Sequence, residues 1–459
     1  MTAAGRVPPP LPLRSDVAGA VWPPVLTGEA AILAALMHQL EGSQWLPPEA
    51  LRERQFAQLA AVTAHHAEHS GQFRRRLEAA GLTAADVATP EGLARLPLLT
   101  RRDIQTAPDL FAETLPPLHG PAVELNTSGS TGEPVHVRRT ALNRLDWWAM
   151  TMRDHAWHRR NLGGRFCAIR FIDRPAVLPD WGPPATLLHR TGPSLGVPMT
   201  IPITDQLRLL REFRPTSLLV YPSDLAGLLD HIEGEGATGL EELADIRTVG
   251  EIVSPELRAR TRTVLGIDIA DTYSSQELGY VALQCPESGL YHVMAETCIV
   301  ELLDDTGRPC PPGGIGRIVV TDLRNFATPL IRYEIRDYAQ VAGPCPCGRG
   351  LPTLAAIVGR SRNLLVKPDG TRSWPQFGYA RFREIAGIIQ YQCIQHDLER
   401  IEFKLRVESP LDAATEARLR THIQGALGFP FRLDFTYLDG PIEPGPSGKF
   451  EQFISRVTP

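Results

Sequence analysis

Apolar and polar positions change rhythm along the chain, and each rhythm predicts a different architecture. Over residues 28–81 the apolar positions recur close to helix spacing, with Phe56, Leu59, Ala60 and Val62 as the clearest run. Leu96-Pro97-Leu98-Leu99 then leads to Thr100, a candidate helix N-cap with Asp103 three positions on. Further along, short apolar runs at 166–171, 217–220, 248–253 and 267–272 read as buried strands. Segments 203–213, 224–234 and 255–265 read as the helices between them. That alternation predicts a parallel sheet with helices on its faces. From Ile299 the style shifts to antiparallel strands, at 299–303, 316–321 and 338–341, joined by turns such as Pro311-Pro312-Gly313-Gly314. The end of the chain carries strand, helix and strand signals at 401–407, 413–427 and 433–438.

These patterns predict an α/β protein. A Pro- and Ala-rich flexible arm covers residues 1–24. A large domain over 25–358 holds mostly parallel sheets flanked by helices, plus a small antiparallel β subdomain. A small α+β domain follows over 359–459, with the junction near Val358-Gly359-Arg360. The 459 residues suffice for such a layout. A net charge of −5 gives no reason to expect nucleic acid or an anionic membrane as partner. No apolar run approaches a membrane span, and the N-terminus lacks the compact apolar core of a secretory signal. A cytoplasmic location is the expectation. Seven cysteines, an odd number in a chain this long, do not suggest a disulfide framework.

Candidate chemistry is concentrated in a few short segments. Leu125-Asn126-Thr127-Ser128-Gly129-Ser130-Thr131-Gly132-Glu133-Pro134 combines glycines with hydroxyl residues, a loop suited to cradling nucleotide phosphates. No Gly-Lys-Ser/Thr closes it, so it is not a P-loop, and by itself it also reads as a polar surface turn. In Asp271-Thr272-Tyr273-Ser274-Ser275-Gln276-Glu277, a tyrosine leaving a strand end can lie against a flat base. A carboxylate four positions on can hold Mg²⁺, although a capping turn accounts for the same residues. Gly250 within Val249-Gly250-Glu251-Ile252-Val253 allows a ligand to approach closely, or simply ends a strand. Asp337 closes a charged segment, where it serves either as a two-oxygen acceptor or in a surface ion pair. Lys449 sits alone on the Gly-hinged turn Pro446-Ser447-Gly448-Lys449-Phe450. Cys345-Pro346-Cys347, with Cys285 and His292 from an earlier segment, supplies four ligands for a tetrahedral zinc site. Reduced cysteines beside a surface histidine are the alternative. Cys298 and Cys310 are substitute ligands, and Cys167 and Cys393 look structural.

The loop at 127–132 and the distant Ser447-Gly448-Lys449 turn together resemble the adenylate-forming superfamily of acyl-CoA ligases and luciferase-like enzymes. Within it, the phenylacetate-CoA ligase branch is most similar. The lead-in at 96–103, Val135 where lysine is usual, Cys345-Pro346-Cys347-Gly348-Arg349 and Tyr391-Gln392 all fit that branch. The resemblance implies a two-step reaction: ATP·Mg²⁺ and a carboxylic acid give an acyl adenylate, and CoA then displaces AMP. Thr127, Ser128, Gly129, Ser130, Thr131 and Gly132 would hold phosphates. Gly250, Glu251, Ile252, Tyr273 and Ser274 would border the base, and Asp337 would accept the ribose hydroxyls. Arg360 would contact the nucleotide, Glu277 would bind Mg²⁺, and Lys449 would bridge the carboxylate and the α-phosphate. Arg362 falls at the hinge of a mobile C-terminal domain. Phe171, Trp181, Tyr221 and Ser274 are candidates to line the acyl pocket, and the branch implies an aromatic acid. Ser274, Gln276, Glu334 and Arg362 depart from the common motifs. That drift keeps open transfer to an amine or carrier protein instead of CoA. A binding-only scaffold would not need Lys449. The implied partners are the acid, ATP and CoA, with a homodimer left open.

Overall fold

The computed structural model describes residues 13–126, 134–360, 365–373, 379–440, 442 and 452–457. It opens with α1 (Gly28–Ser43), α2 (Pro48–His69), α3 (Gly71–Ala80) and three short helices, α4 (Ala84–Val87), α5 (Pro90–Arg95) and α6 (Arg101–Thr106). Thr100 caps α6 as its sequence suggests. Its hydroxyl accepts the Asp103 N–H, and the Asp103 carboxylate accepts the Thr100 N–H at 2.8 Å, so two otherwise orphaned donors are satisfied. Of the arm expected over 1–24, the described part is tied down: Leu13 bridges His189, and the Arg14 N–H donates to Leu188. Residues 1–12 lie outside the described set.

A hairpin of β1 (Ala122–Asn126) and β2 (His136–Thr140) leads to α7 (Ala141–Trp157). The α/β stretch follows: β3 (Phe166–Arg170), β4 (Ala176–Leu178), α8 (Ala185–Leu188), β5 (Ser194–Pro198), α9 (Ile203–Phe213), β6 (Ser217–Val220), α10 (Pro222–Glu235), β7 (Asp245–Val249), α11 (Pro255–Leu265) and β8 (Ile269–Ser275). Then come β9 (Gly279–Gln284), β10 (Tyr291–Val293), β11 (Cys298–Leu303), β12 (Ile315–Asp322), β13 (Tyr333–Val341) and β14 (Thr353–Arg360). Among the described residues these twelve strands, β3 to β14, form one sheet, ordered β11-β12-β13-β14-β10-β9-β8-β7-β6-β3-β5-β4. Strands β5, β3, β6, β7 and β8 pair in parallel, and from β9 onward the pairing is antiparallel. The two styles read from sequence are therefore hydrogen-bonded to each other, joined by β8 and β9. β7 ends at Val249 rather than running over 248–253, because Gly250 turns to φ +78° and breaks the ladder.

The parallel strands bury Ile169, Val197, Val220 and Ile246 against Leu210 of α9, Leu229 of α10 and Leu257 of α11. On α7, Ala149 and Met150 pack with Leu33 of α1 and with Tyr280 and Leu283 of β9. After β14 come β15 (Leu365–Val366), β16 (Arg372–Ser373), α12 (Tyr379–Ala386), β17 (Ile388–Gln395), β18 (Arg400–Val407), α13 (Ala413–Leu427), β19 (Arg432–Tyr437) and β20 (Phe453–Ser455). The sheet β19-β18-β17-β20 buries Phe382, Phe403, Ile423 and Phe431 in a core that contains no residue earlier than Leu365.

Candidate active site

The parallel strands place one residue after another on a common edge. β3 and β6 pair up to Ala168 and Leu219, so Arg170 and Tyr221 stand level two positions on. Tyr221 in turn is followed across the sheet by Val249 and Thr272, which are direct partners. This C-terminal edge is where open α/β sheets bind ligands. It borders a cleft of about 2790 Å³ that reaches Asp337, Arg360 and the C-terminal Tyr391. Gly250, Glu251, Ile252, Tyr273, Ser274 and Glu277 all line it. Glu251 also has a structural task. Its carboxylate accepts the Ser223 N–H at 2.9 Å and the Ser223 hydroxyl at 3.1 Å, which caps the N-terminal turn of α10.

Asp337 is held by Tyr273 and Arg360, among others. The Tyr273 hydroxyl donates to its Oδ2 at 2.8 Å, and Arg360 Nε lies 3.8 Å from its Oδ1. The antiparallel register of β13 and β14 sets Asp337 directly opposite Arg360. Burial, and then the Asp337 charge, push the Tyr273 phenol well above its ordinary pKa, so it stays a donor at neutral pH. Glu277 is buried and lies 3.5 Å from the Tyr333 hydroxyl. Among the described residues Glu277 makes no ion pair, so its carboxylate charge remains available to a cation. Glu334 pairs with Arg317 across β12 and β13 at 3.1 Å. Thr127 to Gly132, Arg362 and Lys449 lie outside the described residues; β1 and β2, whose register ends at Asn126 opposite His136, flank the first of these segments.

Beyond the nucleotide side the cleft becomes aromatic. Trp147 of α7 lies against Tyr280 with ring centroids 4.4 Å apart. Trp181 stacks on Phe166 at 4.7 Å, and its indole N–H donates to the Gly164 carbonyl at 2.9 Å. Phe171 is 79% exposed and Tyr221 is half-buried. All four side chains expected to line the acyl pocket border this cleft, with Trp181 fixed by packing and Phe171 loosely held.

The four candidate zinc ligands converge. Cys285 directly follows β9, His292 lies on β10, and Cys345 and Cys347 lie in the turn between β13 and β14. Their ligand atoms all fall within 4.8 Å of one another. Cys345 Sγ is 3.8 Å from Cys285 Sγ, and Cys347 Sγ is 3.3 Å from His292 Nε2. Two sulfurs at Zn–S bonds of about 2.3 Å in a tetrahedron stand about 3.8 Å apart, so the donor set fits the ion. The same spacing is far too long for a disulfide. Burial lowers the His292 pKa to about 4, which keeps the imidazole neutral, as a metal ligand must be. Cys298 is not in the cluster. It is fully enclosed, with its thiol facing the carbonyls of Met294 and Val281.

Comparison with known proteins finds relatives of one kind. Phenylacetate-coenzyme A ligase of Aromatoleum evansii is 29% identical over 336 residues, covering 71% of this chain and 74% of the relative. The enzyme of the same name from Thermus thermophilus is 26% identical over 389 residues, covering 82% and 85%. The chain is thus similar to phenylacetate-CoA ligases over most of its length. No protein-family model matches it. In fold it matches 2-hydroxyisobutyryl-CoA ligase, solved in the postadenylation state with an acyl-AMP. The TM-score is 0.71 at 19% identity, over 90% of this chain and 91% of that one. An open form of that ligase with 2-HIB-AMP and CoA aligns with a TM-score of 0.60.

For this phenylacetate-CoA ligase-like chain, sequence reasoning missed the α7 wall and Arg170. Trp147, Trp148 and Thr151 lie on a helix whose charged and aromatic residues alternate without a clear face, so no motif singled them out. Arg170 did carry a signal, as the last residue of a parallel strand, the position from which such sheets present groups to a ligand.

Proposed function

We propose that this chain activates an aromatic carboxylic acid with ATP as an acyl adenylate and passes the acyl group to CoA. The observation that carries this reading is the Tyr273–Asp337–Arg360 cluster beside Glu277, set on the ligand-binding edge of the sheet and opening into an aromatic cleft. Its relatives are phenylacetate-CoA ligases, which supports the same chemistry.

Each residue has a physical task in this proposal. Tyr273 presents a flat ring to the base while its hydroxyl orients Asp337 for the ribose. Arg360 holds the second Asp337 oxygen and adds positive charge near the nucleotide. Glu277 would hold Mg²⁺, which when bound neutralises phosphate charge. Lys449 would donate to the attacking carboxylate and the α-phosphate oxygen, where two anions must meet. Residues 359–459 form the small domain in this reading, and Arg362 its hinge. Cys285, His292, Cys345 and Cys347 would hold a structural zinc that fastens the β9–β10 turn to the β13–β14 turn, with no part in the chemistry.

The test is acid-dependent pyrophosphate release across aryl, arylacetic and short aliphatic acids, with and without CoA. Release confined to aryl acids, with a thioester formed when CoA is present, is the expected result. Release without a thioester would point to an amine or a carrier protein as acceptor. No release with any acid would overturn the adenylation itself.

A further inference from the structure

Arg170 closes β3 and lines the cleft together with its neighbours Tyr221 and Tyr280. Its side chain is exposed and lines the cleft. Among the described residues no opposite charge compensates it: Arg170 has neither an ion pair nor a side-chain hydrogen bond. The neighbouring Arg247 differs. It pairs with buried Asp154 at 3.2 Å, and Asp154 also pairs with Arg160 at 2.6 Å. Arg160 reaches Asp245 at 2.8 Å. That network holds two arginines and two aspartates and balances itself, so Arg170 is left as a surplus cation. The surrounding protein and the Arg247 charge shift its pKa downward. Exposed on the cleft wall and paired with no acid among the described residues, the guanidinium can meet an anion that enters the cleft.

We infer that Arg170 selects an aromatic acid carrying a second oxyanion, with a ring carboxylate as the simplest case, on the side of the ring away from the carboxylate that is activated. The inference rests on the adenylation reading and names the substrate class of that same site. A guanidinium fork binds a carboxylate through two parallel hydrogen bonds, and Trp147, Tyr221 and Tyr280 provide flat walls for the ring between.

The experiment compares phenylacetate and benzoate with 4-carboxyphenylacetate and terephthalate by pyrophosphate release, using the wild type, R170M and R170K. Wild type is expected to favour the dicarboxylic member of each pair by about 100-fold in kcat/KM. R170M should abolish that preference. R170K, which keeps the charge but loses the fork, should keep about tenfold of it. The KM for ATP should not follow the acid preference. Wild-type preference for the monocarboxylic acids would overturn the inference. So would an equal loss for all four acids in R170M, or a loss expressed in the KM for ATP, since Arg170 would then serve the nucleotide or the fold. No pyrophosphate from any acid with wild type would instead reject the adenylation reading on which the inference stands.

Discussion

At the scale of single residues, charge decides what each side chain can do. Lys449 is expected to matter most to the chemistry. Lys449→Ala should keep ATP affinity within a few-fold and lower adenylate formation by about 100- to 1000-fold, the usual loss when one preorganised donor is removed. Equilibrium dialysis with ATP and pyrophosphate release check the two halves, and unchanged turnover would reject the role. Asp224 bears on stability instead. It is buried in the first turn of α10, and burial raises its pKa to about 6 although Gln206 donates to it at 3.1 Å. Because the folded value lies above the unfolded 3.8, the folded chain holds this proton more tightly. Stability from this group is complete below about pH 4 and is lost as pH rises through about 6. Asp224→Asn should therefore match wild type at pH 4 and exceed it at pH 8 by up to about 3 kcal/mol, as read by urea unfolding at both pH values. Some of this was visible in the sequence and some was not. Tyr273, Glu277 and Asp337 announced themselves through motifs. Arg170 and Asp224 did not, because their importance lies in what surrounds them: partners missing in one case, burial in the other.

Among the elements, the best-read segments were those whose apolar pattern alone determines their state. Helices α9, α11 and α13 occupy the ranges their periodicity predicts. β7 was displaced toward its C-terminus in the sequence reading, because Ile252 and Val253 extend the apolar run past Gly250, where the backbone turns. β17 escaped notice as a full strand. Its glutamines alternate with apolar residues, and the buried Gln395 is satisfied by contacts with β15 and β20 that only the folded sheet provides. The turns that gather Cys285, Cys345 and Cys347 depend on neither periodicity nor propensity. Cysteines beside Pro and Gly, with a nearby histidine, sufficed to nominate them, although His292 stands on β10 rather than in a turn. Purified protein should carry one zinc per chain, and Cys345→Ser should lose it and lower the melting temperature by at least about 5 °C. Elemental analysis with a thermal melt decides this. Wild type without metal, with reactive thiols at Cys285, Cys345 and Cys347, would return them to plain reduced cysteines.

For the molecule as a whole, the separation of the cores has a thermodynamic consequence. The core formed by Phe382, Phe403, Ile423 and Phe431 shares no residue with the cores around the large sheet. Units with separate cores unfold separately when the contacts between them are few. We therefore expect calorimetry to show two transitions, a small one from residues 359–459 and a large one from the rest. Ligand should sort them. A tightly held acyl adenylate at 100 times its Kd stabilises the state that binds it by about 2.7 kcal/mol. Most of its expected contacts, with Tyr273, Asp337 and the aromatic wall, belong to the large unit. ATP with a substrate acid should then raise the large transition by a few degrees and the small one by less. With Lys449→Ala the same mixture should give only the shift due to ATP, since no adenylate accumulates. A single transition that moves as one in every condition would mean that the chain unfolds as one cooperative unit, and that a boundary near residue 358 divides its packing but not its stability.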